Sequence, residues 1–294
     1  LHVRSRRQRQ MCIRDSIWTL AIILPFILLF MSSITDENTL VANGYSFFPK
    51  KFSLASYSYI IKSGGQILKA YGVSIGVTVV GTLLNVLLSA LMAYPLSVKN
   101  LPGRNVMMFF VFFTMLFNGG IVPSYIMWTG TFHIKDTIFA QLLPNFLLSA
   151  WNVMMIRTYF TTSIPDGLYE AAEIDGASQF TIFWKIVLPL GKPILVTMGT
   201  FAGLAYWNDW TNGLYYIVKN TGLYNVQNLL NQMVQNIQFL TQSSNSNVTA
   251  AASTIPATGI QMAIAFVAIL PIMLIFPSFQ KYYAKGIALG AVKG

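Results

Sequence analysis

Charge is what this chain has least of, and acid above all: nine aspartates and glutamates stand against 19 lysines and arginines in 294 residues. Charged residues make up 10% of the sequence, where soluble domains carry about a quarter. That excludes an ordinary water-soluble domain. The single cysteine, Cys12, excludes an intrachain disulfide and a multi-cysteine metal site. The two histidines, His2 and His133, are isolated and leave an imidazole metal site without support. No G-x-x-x-x-G-K-[ST] occurs, so the chain is not expected to bind ATP through a P-loop. Its apolar runs are nearly free of Asp, Glu, Lys and Arg, whereas ion-coupled carriers usually hold several such groups or a broken-helix ion site at mid-membrane. No grouping of nucleophile, base and acid completes a catalytic site. The expectation is no catalytic residue, no cofactor and no metal.

Hydrophobic residues, by contrast, reach 54%. A chain of this length has room for several membrane spans with short loops, and for no additional large soluble domain. The formal charge of +10 does not point to nucleic acid. Five arginines lie within the first 14 residues, and the remaining basic residues suit membrane edges that face anionic lipid. Residues 1–16, LHVRSRRQRQMCIRDS, differ abruptly from the rest of the chain and look like a translated adapter scar. We expect that segment to be largely non-native and residues 17–294 to form a single transmembrane domain.

Six apolar runs are expected to be spans, at 17–34, 71–98, 105–128, 137–160, 194–218 and 260–279. The first lacks a convincing A-x-A cleavage site and reads as an uncleaved span rather than a signal peptide. Gly72, Gly76 and Gly81 are expected along one side of the second, where small residues let helices approach closely. Asn118-Gly119-Gly120 and Pro123 should weaken or end the third helix. Pro144 lies inside the fourth. The fifth carries Tyr206-Trp207-Asn208-Asp209-Trp210, where the aromatic rings suit either sugar stacking or packing, and Asp209 either the permeation path or a packing hydrogen bond. Between 219 and 259, Val226, Leu229, Leu230, Met233, Val234 and Ile237 follow helical spacing, so an interfacial helix is expected there. Asn247-Val248-Thr249 is a formal sequon that we read as chance.

The polar stretch Tyr169–Pro193, YEAAEIDGASQFTIFWKIVLPLGKP, organises the rest. Three of the nine acids, Glu170, Glu173 and Asp175, fall within six positions. Pro165-Asp166 should open a helix and Gly176 should end it in a positive-φ turn. Phe180, Phe183, Trp184, Val187 and Leu188 then fall at i, i+3, i+4, i+7 and i+8, one apolar face of a second short helix. Leu188-Pro189 should end that helix, and Pro193 should mark entry into the next span. A helix–turn–helix with a greasy face and an acidic corner suits docking.

The order Glu170-Ala171-Ala172, Asp175-Gly176-Ala177, Ile186, Leu188-Pro189 and Pro193 resembles the EAA loop of ABC-importer permeases. The likeness extends over essentially 17–294 through the Asn118–Pro123 region, the Trp207-Asn208-Asp209 stretch and the Lys285-Gly286 to Lys293-Gly294 tail. It is of the maltose-transporter type, and most resembles the permeases named for lipoprotein or complex-oligosaccharide uptake in Gram-positive bacteria. What the resemblance implies is an all-α polytopic membrane protein of six transmembrane helices. Its partners would be a second permease subunit, two cytosolic ATP-binding subunits and an extracellular solute-binding protein. The loop at 161–193 would be the cytoplasmic coupling element, with Glu170, Ala171, Ala172, Asp175, Gly176, Leu188 and Pro189 docking on or shaping the contact with the ATPase. A sugar or oligosaccharide would be the solute, and Tyr206, Trp207, Asn208, Asp209 and Trp210 are candidates for its path. Both termini would be cytoplasmic, in a bacterial plasma membrane. Basic residues favour that orientation by 13 to six, or by eight to six without the first 14 residues. The alternatives are a permease for another solute, an ion-coupled carrier, and an intramembrane enzyme.

Overall fold

The computed structural model describes residues 2–62, 64–242 and 257–291. Among these, the backbone is mostly helical, and the β-structure is an isolated bridge between Thr35 and Phe52. The chain begins with α1 (His2–Ser33), α2 (Glu37–Asn43), α3 (Ala55–Lys62) and the long α4 (Gly64–Ser97). Then come α5 (Arg104–Leu116), α6 (Ile121–Ile126), the four-residue α7 (Phe139–Leu142) and α8 (Ala150–Ser163). The polar island forms α9 (Asp166–Ile174), α10 (Gln179–Ile182) and α11 (Leu188–Leu190), followed by α12 (Lys192–Trp207) and α13 (Thr211–Tyr216). Last are α14 (Val226–Gln242), where the interfacial helix was expected, and α15 (Ala257–Ala291). The sequon at 247–249 and the end of the tail at 292–294 lie outside the described residues.

Six uninterrupted spanning helices do not emerge. Three segments are long and apolar enough to cross a bilayer alone: Met11–Ser33, Gly65–Ser97 and Thr258–Ile275. Two bent pairs qualify only together, Arg104–Leu116 with Ile121–Thr131 at 111° and Gln179–Leu190 with Lys192–Trp207 at 78°, which brings the described residues to five at most. The first bend falls where Gly119-Gly120 was expected to end a helix, and Gly120 takes a φ of +84°. The expected fourth span, 137–160, has no counterpart among these, and the expected fifth, 194–218, is cut short where its helix ends at Trp207. Pro144 cannot donate a backbone bond and Asn145 adopts a left-handed φ of +67°, so α7 stops and α8 starts afresh. The 14 residues of α8 reach about 21 Å, less than the ~30 Å hydrocarbon core.

The chain folds as two compact units, one built from 1–68 and 229–273, the other from 69–228 and 274–294. In the first, Ile60, Ile260, Ala263 and Ile264 pack with Tyr57, Leu230 and Met233, and the rings of Phe30 and Phe266 lie 4.9 Å apart. The first N–H groups of α15 have no partner within their own helix. Glu37 supplies one from α2: its two carboxylate oxygens accept from the N–H of Thr258 and of Gly259, each at 2.8 Å. Glu37→Ala should therefore lower unfolding stability by about 1–2 kcal/mol, the worth of a strong helix cap. Thermal unfolding in detergent checks this, with Glu37→Gln intermediate because it keeps one acceptor. An unchanged midpoint would mean that water serves those two N–H groups equally well.

In the second unit a single core joins membrane helices to the polar island. Ala90, Ala93, Tyr94 and Leu96 of α4 pack with Val153, Ile156 and Phe160 of α8, with Leu195 and Met198 of α12, and with Ala172, Ile182, Phe183 and Val187 of the island. Gly72, Gly76 and Gly81 of α4 do not share a face. At 100° per residue the five-residue step from Gly76 to Gly81 turns through 140°. Gly72 and Gly76 accordingly face open space, whereas a Cβ on Gly81 would sit 2.5 Å from the ring of Tyr206. In the same unit Asp136, itself at φ +59°, accepts the N–H groups of Val218, Lys219 and Asn220. Those three donors, Lys219 first, hold its carboxyl below the usual carboxylate range.

Candidate functional site

The island is built the way its sequence prescribes, with one exception. Pro165 is the N-cap of α9, and its extended backbone leaves Asp166 to begin the helix. At the other end Gly176 takes a φ of +73°. Its N–H donates to the carbonyl of Glu173 and that of Ala177 to Ala172, the paired bonds of a Schellman closure. Ser178 opens α10 by accepting from the N–H of Thr181. The exception is the apolar face of the second helix. A π-wound turn over Phe183–Val187 buries Ile182, Phe183 and Val187, while Phe180 stays 67% exposed and Trp184 47%. The spacing of Phe180 and Trp184 matched a regular 3.6-residue helix; one wide turn shifts the buried stripe off them.

Glu170, Ala171, Asp175 and Gly176 are all exposed on one end of this element, and beside them Ile174 is 86% exposed. Ala172 instead faces the core, Leu188 packs against it, and Pro189 is exposed. An apolar side chain as open as Ile174, between Glu173 and Asp175 in the chain, is unusual on a surface, and Leu168, Phe180 and Trp184 of the island are exposed too. Ile174 was missed in the sequence because its position inside the acidic run reads as solvated.

The second group of expected residues lies at a break. Helix α12 ends at Trp207 and α13 starts at Thr211, with Asn208 exposed, Asp209 buried and Trp210 partly open between them. One oxygen of Asp209 accepts from the N–H and hydroxyl of Thr211 and from the N–H of Asn212, which closes the start of α13. Its other oxygen is buried without a hydrogen-bond partner. The ring of Tyr206 is enclosed, and its hydroxyl donates to the carbonyl of Leu142 at 2.9 Å. Trp207 is buried too, 6.3 Å from the ring of Tyr71.

Around these sits a cluster of buried amides that the sequence alone did not single out. Carbonyls freed by the Pro144 break need partners, since no helix ladder takes them. Asn85 of α4 donates to the carbonyl of Phe146 at 2.6 Å, and Asn212 donates to that of Pro144 at 3.1 Å. Asn152 holds Asn85 from behind, donating to its oxygen at 2.7 Å. Nearby, Asn225 donates to the carbonyl of Asp209 and to Gln141, and Asn228 donates to the carbonyl of Trp210. A broken backbone is thus satisfied by side chains drawn from 85 to 228. Single asparagines in apolar runs were the available signal, but their partners are distant in sequence.

Residues 72–289 match the family of binding-protein-dependent transport system inner membrane components. The chain belongs to this family. It is also similar to Protein LplC of Bacillus subtilis, 36% identical over 92% of this chain and 90% of that protein. The polygalacturonan/rhamnogalacturonan transport system permease protein YtcP of the same organism is 37% identical over 94% of both chains. A crystal structure of a bacterial ABC transporter involved in the import of the acidic polysaccharide alginate superposes with a TM-score of 0.77 at 26% identity, over 92% of this chain and 94% of that one. As an ABC-importer permease the chain is a transport subunit and not an enzyme. In the permease, the island stands on the same core as helices α4, α8 and α12, so a push on α9 or α10 meets packed side chains rather than a loose loop.

Proposed function

We propose that this permease forms half of the transmembrane pathway of an ATP-driven importer of a sugar or oligosaccharide. Its partners are a second permease, two cytosolic ATPase subunits and an external solute-binding protein that delivers the substrate. The observation that carries the ATPase contact is the exposed end of α9: Glu170, Ala171, Ile174, Asp175 and Gly176 stand open on an element whose other side is core. The names of YtcP and of the alginate importer support a polymeric or oligomeric carbohydrate, and acidic sugars among them. Six spans, with the broken α7–α8 segment counted as one and both termini in the cytoplasm, fit this reading and the excess of basic residues on that side. Residues 17–294 are then one transmembrane domain, with 161–193 as its coupling loop. Asn208 and Trp210, being open, are the candidates for solute contact, while Tyr206, Trp207 and Asp209 shape the break that presents them.

Alternating access requires a coupling free energy between nucleotide and solute sites, carried by an element that both bias. Co-expression with the genomic neighbours and purification from membranes tests the assignment. An ATPase subunit and a second permease should come down with the chain, and the accompanying binding protein should take up oligosaccharide. A chain that purifies alone and binds no added ATPase would refute the reading and favour an ion-coupled carrier.

A further inference from the structure

Three side chains tie the island to a membrane helix, and none belongs to the docking end of α9. Tyr94, near the C-terminus of α4, is buried, and its hydroxyl donates to Oε1 of Gln179 at 2.6 Å. The amide nitrogen of Gln179, at the start of α10, donates in turn to Oε1 of Glu173 on α9 at 2.8 Å. One side-chain amide therefore bridges α4, α10 and α9. The ring of Tyr94 also lies 6.4 Å from that of Tyr169, stacked, and 5.4 Å from that of Phe183, so it touches both halves of the island. Burial pushes the Tyr169 phenol up to about 12, which keeps it neutral beside Tyr94. A further polar tie, from Lys99 just after α4 to Asp166 of the island, is an exposed ion pair that salt and water weaken.

We propose that Tyr94, Gln179 and Glu173 are positioning residues that couple movement of the island to helix α4. The geometry explains why a hydrogen-bonded amide serves there. Gln179 offers an acceptor to the tyrosine and a donor to the carboxylate, so α9 and α10 cannot shift separately without breaking one bond. The fused pair then turns about an aromatic ring that belongs to α4. This inference rests on the ATPase-coupled reading above.

The test uses the whole importer, permease pair with ATPase subunits, in lipid nanodiscs. The readout is ATP hydrolysis with and without the solute-binding protein, together with the KM for ATP. Gln179→Glu should lower the stimulation by binding protein about threefold or more at unchanged KM, because two carboxylates then face each other across the α9–α10 gap. The exchanged pair Glu173→Gln with Gln179→Glu should restore it: the new amide at 173 donates to the new carboxylate, which still accepts from Tyr94. Tyr94→Phe keeps the ring contacts and should show the loss by itself. Stimulation equal to wild type in Gln179→Glu or Tyr94→Phe overturns the proposal, as does an exchanged pair no better than Gln179→Glu. If Gln179→Glu fails to assemble, Tyr94→Phe decides alone. Failure of the wild-type chain to recruit any ATPase would instead strike the functional reading, so the two failures are told apart.

Discussion

Gly176→Asp should reach the membrane in normal amounts and support no import. At φ +73° the position strains any L-residue, by about 1–2 kcal/mol, yet a Cβ there meets nothing within 4 Å. The Schellman bonds use only backbone atoms, so the turn survives with an aspartate, a residue that tolerates left-handed backbone better than most. Folding is therefore not where the damage falls. The new carboxylate stands beside Asp175 on the end of α9 that carries Glu170, Ala171 and Ile174, and it would have to be stripped of water when a partner closes on that face. Gly176→Ala separates the causes, since it adds the backbone strain without the charge and should retain much of the activity. Uptake by reconstituted vesicles, beside a measure of membrane yield, makes the comparison. Normal uptake by Gly176→Asp would remove Gly176 from the contact.

Gly213→Ala should have the largest effect on folding. The backbone there is helical, so alanine brings no strain of its own. Its methyl would overlap the side-chain amide of Asn228. That amide cannot swing aside cheaply: its nitrogen donates to the carbonyl of Trp210, its oxygen accepts from Gln141 at 3.3 Å, and the residue's backbone N–H donates to Asn225 at 2.8 Å. Evicting it strands buried polar groups at about 1–3 kcal/mol each, on top of a similar cost for overpacking. We expect little folded protein by size-exclusion chromatography in detergent. Asn228→Ala alone should be less severe, and Gly213→Ala with Asn228→Ala should fall well short of the sum, because the second change removes the overlap. Additive losses would show that the methyl and the amide act independently.

The polar island was legible because its signals are local. Proline ahead of α9, a glycine that ends it, and acids at a helix start act within a few residues of themselves, and the sequence order carries them. Family membership was legible in the same stretch for the same reason. Helix-forming apolar runs were equally plain at α1, α4 and α15, where composition decides. What the chain's order could not convey is which side chain answers a break. Pro144 lies within an expected span, and nothing in its neighbourhood tells that the helix breaks there or that Asn85 and Asn212, about 60 and 70 residues away, take the stranded carbonyls. Nor does spacing foretell a π-wound turn, which moves Phe180 and Trp184 from the core to the surface. Tyr206 shows the division most clearly. Alone it is an aromatic near an asparagine and an acid, fit for a sugar; in the fold it is roofed by Gly81 and bonded to Leu142, and the open ring is Trp210. Sequence determined the class, the long apolar helices and the polar island, since each depends on neighbours along the chain. The tertiary structure decided burial, and with it which polar groups hold the fold and which remain free to act.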